Sequence, residues 1–130
     1  MAKKLAVLLL ALCAAAPAWA VDTQGNYFVR GAGNQLCASY LKARQTGHAG
    51  AFADWLAGYI TAFDRWTADV WRIENGNFDL SLIWMEDYCR DHPAETFDVA
   101  ASNMIAFLYP NRVKSASGAP PGAIAGGTMR

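Results

Sequence analysis

Residues 85–93 read MEDYCRDHP, and the fold turns on what Cys89 does. Cys89 stands three residues before His92, at the end of a stretch with helical spacing, among Glu86, Asp87, Asp91 and Glu95. Three chemistries compete for it: half a metal site, a thiol nucleophile with a histidine base, or one arm of a disulfide. The choice depends on where the chain is sent and on which other cysteine is within reach.

The first twenty residues, MAKKLAVLLLALCAAAPAWA, settle the compartment as an expectation. Lys3 and Lys4 precede an apolar run from Leu5 to Ala16, and Ala18-Trp19-Ala20 ends in small residues of the kind a signal peptidase reads. The run is too short to cross about 30 Å of hydrocarbon, so residues 1–20 read as a secretory signal cleaved after Ala20, with no membrane span. Lipidation at Cys13 would need a small residue before it, where Leu12 stands. The expected destination is the periplasm.

Export removes Cys13 and leaves Cys37 and Cys89. Both fall on inward faces of expected helices. In an oxidising compartment the simplest outcome is one disulfide between them. A structural zinc site would need four ligands, and only Cys37, His48 and carboxylates are available to complete Cys89 and His92. A nucleophilic Cys89 would need to stay a free thiol. The four nearby carboxylates scatter around two helices and a turn, so they read as a solvated rim rather than an acid–base site.

Working outward, apolar residues recur at three and four, the helical period, and strand signals are almost absent. The spacing predicts a first helix over 34–45, with Asn34 as N-cap and Leu36, Cys37, Tyr40 and Leu41 inward. A second helix is expected over 49–74. Phe52, Trp55, Leu56, Tyr59, Phe63, Trp66, Val70 and Ile73 form its stripe, and Asn75-Gly76 ends it. Asp69 is expected to pair with Arg65 and Arg72. Gly58 and Ala62 offer a smooth patch where another backbone can approach. A third helix over 80–91 takes Asp79 as N-cap and has two apolar sides, so it reads as wedged between neighbours. A fourth begins at Pro93 and ends before Pro110 with Phe97, Ala100, Ala101, Met104 and Leu108 inward. The fold class is therefore all-α: a small four-helix bundle over residues 21–112 with one interhelical disulfide. Residues 113–130, rich in Gly, Ala, Ser and Pro, read as a flexible tail.

Composition narrows the function. The sequence holds 11 Lys plus Arg and 11 Asp plus Glu, and loss of Lys3 and Lys4 with the signal leaves nine against eleven, about −2. No basic stripe marks a nucleic-acid partner. No P-loop, dinucleotide fingerprint, serine elbow or zinc-protease motif is present, so the sequence implies neither an enzyme nor a cofactor. Ile60 and Trp71 lie at the edge of the second helix's stripe, and these two and Trp84, where exposed, are the candidate partner surface.

Two families share short motifs with this chain. LCASYL at 36–41, WLAGY at 55–59 and the cysteine in DYCRDHP resemble the HdeA/HdeB group of small, all-helical periplasmic proteins. That resemblance implies a Cys37–Cys89 pair and acid-stress protection by homodimers that loosen at low pH and bind unfolding clients. Full protonation would carry the mature chain from about −2 toward +11, nine Lys and Arg plus two His. GYITAFD at 58–64 and YCRDHPAETFDVAASNMIAFLYP at 88–110 are similar to Tai-type immunity proteins of type VI secretion, which bind and neutralise a periplasmic toxin. That family's additional cysteines would fall at Leu56 and Asn111. The leading expectation is the acid-stress chaperone. The alternatives are the immunity protein and an accessory subunit of an envelope complex.

Overall fold

The computed structural model describes residue 22 and residues 24–118. The expected signal peptide, its cleavage site at Ala20 and the end of the tail lie outside the described residues. Four α-helices are present among those residues: α1 (Cys37–Gln45), α2 (Gly50–Trp66), α3 (Phe78–Asp91) and α4 (Phe97–Leu108). Short 3-10 turns occupy Gly31–Asn34, Tyr109–Asn111 and Ala116–Gly118. The all-α class and the interhelical bridge are as expected. Cys37 and Cys89 are joined with Cα atoms 4.9 Å apart, and both are fully buried.

α3 is the hub, packing against α1 on one side and α4 on the other. Its two apolar sides are the reason. Met85 and Cys89 are buried completely, while Leu82, Trp84 and Tyr88 pack partly against the same core. α2, the longest helix, meets the rest through α4 and the 3-10 turn at 31–34. At the centre Tyr40, Phe52 and Phe97 bring three rings together, with centroids 4.8 to 5.3 Å apart and tilted or edge-on contacts. The Tyr40 hydroxyl donates to the Leu82 carbonyl at 3.0 Å, and burial pushes its pKa up to about 12. Trp55 packs edge-on to Phe97 and donates from Nε1 to the Arg30 carbonyl at 2.7 Å.

The caps differ from those expected. Asn34 belongs to the 3-10 turn, and α1 starts with no side-chain cap. Its first N–H groups, of Cys37 and Ala38, donate instead to the carbonyls of Glu95 and Pro93 at 2.8 and 3.0 Å. The loop between α3 and α4 thus caps a helix distant in sequence, and Pro93 lies in that loop rather than opening α4. α3 is capped by Asn77, which accepts from Leu80 N at 3.1 Å, and Asp79 sits in the first turn. A carboxylate there favours the helix dipole without capping it.

The largest correction concerns α2, which stops at Trp66 instead of reaching residue 74. Thr67 is extended, and Asp69 takes a left-handed conformation at φ 62°. Val70 and Ile73 are buried as the stripe required, yet they reach the core from a segment that folds back. Helical spacing alone does not separate these two ways of burying the same residues. Arg72 bridges to Val113, and Trp71 N donates to the Val113 carbonyl at 2.9 Å. Asp69 pairs with Arg112 at 2.9 Å and Lys114 at 3.1 Å, not with Arg65 or Arg72. The ordered chain therefore runs past the expected boundary at 112, because Val113 is itself buried. Trp66, expected inward, is 79% exposed. No neighbouring backbone approaches Gly58, since an added β-carbon would meet nothing within 4 Å.

Candidate functional site

The residues around Cys89 engage one another and do not converge on a centre. The disulfide occupies the Cys89 sulfur. His92 stacks on Tyr88 with centroids 4.3 Å apart, and its Nδ1 lies 3.4 Å from Glu95. Tyr88 donates to Glu95 at 2.7 Å, which raises the pKa of the phenol, and accepts from Asn103 at 3.0 Å. Glu86 is held by Arg44 at 2.9 Å and Arg90 at 3.5 Å, and Asp87 by Arg90 at 2.8 Å. These are surface ion pairs of small energetic weight. Among the described residues no three His, Cys, Asp or Glu side chains are grouped to hold a metal, and no helix is long and apolar enough to cross a membrane.

An apolar groove lies between α3 and the end of α4. Leu80 and Trp84, one turn apart, share the side of α3 next to α4, whereas Ile83 lies outside the groove lining. Leu80 is 59% exposed, Ile83 50% and Phe107, from α4, 63%. Trp84 is half-buried, with its ring centroid 5.8 Å from Phe107 and 5.2 Å from Tyr88, on which it stacks. Leu80, Trp84, Phe107 and Leu108 line a groove of about 220 Å³, with Ser81 beneath and residues 74–77 at its edge. Large apolar side chains on two helices that leave a hollow between them have the make-up of a recognition surface.

The groove has one charged lining residue. Glu74 is half-buried and has no hydrogen bond or ion pair among the described residues. Burial raises its pKa, the charge of Asp64 adds to the rise, and Arg72 opposes it. Asp64 is pushed up to about 6, again chiefly by burial, against the N–H of Ile73 and the charge of Arg72. The Arg72 Nε is itself buried without a hydrogen-bond partner. The Arg72 charge thus acts on two carboxylates at this corner without an ion pair to either among the described residues.

Of the three expected surface residues, only Trp84 lines the groove. Trp71 lies in the folded-back segment, half-buried, with the Arg72 guanidinium 5.7 Å from its ring. Ile60 is corrected outright: it is 4% exposed, because α2 buries the row Phe52, Leu56 and Ile60 at four-residue spacing. Leu80, Ile83 and Phe107 were not singled out. Phe107 lies just off the inward stripe of α4, and an aromatic beside a stripe is the signal that would have marked it. A second hollow of about 230 Å³ lies between Tyr40, Arg44, Ala49 and Leu82, but Arg44 is already committed to Glu86.

Comparison with known protein families, with curated proteins and with solved structures finds no match.

Proposed function

We propose that this chain is an exported periplasmic protein that works by binding another protein through the groove between α3 and α4. The observation that carries this reading is the groove lined by Leu80, Trp84 and Phe107, of which Leu80 and Phe107 are largely exposed and Trp84 half-buried. Of the two families it resembles, the preformed groove favours the immunity type, which takes one partner at neutral pH. The disulfide and the raised pKa values of the half-buried Asp64 and Glu74 pull the same way, since they oppose loosening during the first stage of acidification.

The acid-stress chaperone is the second reading. Trp66 and Phe28, 79% and 77% exposed, together with the charge swing on protonation, favour it. The deciding experiment measures both activities on the mature protein and on a Leu80→Ser/Phe107→Ser variant, with circular dichroism to confirm that both are folded. Binding to a toxin encoded beside the gene at pH 7, lost in the variant, supports the first reading. Suppression of client aggregation at pH 2 to 3 without any such binding supports the second. Unchanged binding by the variant would remove the groove from the account.

A further inference from the structure

The groove is apolar along its length and acidic at one end, and that asymmetry specifies an occupant. Glu74 is its only charged lining residue. Arg112 and Lys114 are paired with Asp69, and the Arg72 charge acts on Asp64 and Glu74 without an ion pair to either among the described residues. Among the described residues no arginine or lysine lines the groove. A half-buried carboxylate that lacks a hydrogen-bond partner is poorly solvated and poorly paired, so it gains from a donor that arrives with the ligand. A second copy of this chain, docked groove to groove, would bring a second such carboxylate to the seam instead.

Resting on the protein-binding reading, we propose that the groove takes a partner segment carrying a large apolar side chain beside a lysine or arginine. The apolar side chain packs against Trp84 and Phe107, and the cation sits against Glu74. Apolar anchoring supplies affinity and the single ion pair sets orientation, a common division in peptide recognition.

Two capped dipeptides test this at pH 7.5: acetyl-phenylalanyl-lysine amide and the neutral acetyl-phenylalanyl-norleucine amide. Binding is followed by two-dimensional NMR on the mature protein, with the Trp84 indole N–H assigned through Trp84→Phe. The lysine peptide is expected to shift the Trp84 and Phe107 signals and to bind about fivefold more tightly than the neutral one. Glu74→Gln, nearly the same shape, should erase that difference, while Asp79→Asn, outside the groove, should leave it intact. Equal binding of the two peptides would overturn the cation assignment and leave the groove as a binding site. Loss of the difference in Asp79→Asn rather than Glu74→Gln would overturn the assignment to Glu74. Shifts from neither peptide at Trp84 or Phe107 would overturn both the inference and the reading on which it rests.

Discussion

The Asp64 carboxylate accepts the backbone N–H of Ile73 at 2.9 Å, tying α2 to the segment that folds back after it. Its pKa, about 6 against an ordinary 3.8, is raised in the folded state. The stability this gives is fully present below pH 3.8 and is lost as pH rises through about 6. Glu74 shifts in the same direction. Asp69, held low by Lys114 and Arg112, has the opposite sign: its contribution is present above 3.8 and is lost as pH falls through its lowered value. Urea denaturation should therefore show stability rising from pH 7 to about pH 4 and falling below it. Asp64→Asn should flatten the rise, by about 1 kcal/mol once solvent screening of a half-exposed group is allowed for. A steady decline from pH 7 downward would contradict this sign.

The disulfide spans a sequence separation of 52. Loss of such a bridge costs about 4 kcal/mol on the chain-entropy account, a large fraction of what a domain this size retains. Cys37→Ser/Cys89→Ser should lower the urea midpoint strongly. Alkylation of the native, unreduced protein should label neither Cys37 nor Cys89.

Two glycines should respond oppositely to alanine. At Gly33 an added β-carbon would collide with the ring of Trp55, which is anchored to the Arg30 carbonyl. Gly33→Ala should cost roughly 1–3 kcal/mol and perturb the near-ultraviolet spectrum of Trp55. Gly58 is exposed in mid-helix with open space around it, so Gly58→Ala should stabilise by roughly 0.5–1 kcal/mol. Thermal melts of both variants check the pair.

Asp69 holds a left-handed backbone and also receives Arg112 through its carbonyl and side chain, at 3.0 and 2.9 Å. Asp69→Gly removes the ion pairs but suits the conformation, whereas Asp69→Ala removes the pairs and opposes it. The alanine variant should be less stable than the glycine variant by about 1 kcal/mol. Equal melting temperatures would mean that the turn does not persist in solution.

Periodicity made the core legible because it reports which residues are buried. Phe52, Leu56, Phe97 and Met104 are expected inward, and all are buried. It did not report how the chain gets them there. Val70 and Ile73 keep helical spacing through a segment that is not helical, and the competing interactions come from Val113 and Asp64, one of them far away in sequence. The groove was half legible for the same reason. Trp84 stood out on its own helix, but Phe107 acquires meaning only when α4 is laid beside α3, a register set by Tyr88, Asn103 and the aromatic contact itself.

The backbone pairing of Arg72 with Val113 bears on how the gene is cut for expression. A fragment ended at residue 112, the boundary that composition favours, would lose the strand partner of Trp71 and Arg72 and the Lys114 contact to Asp69. Affinity tags and reporter fusions belong beyond Lys114. A fusion junction placed before residue 115 would release residues 69–72, which lead into the groove edge at 74–77, and so imitate a binding defect.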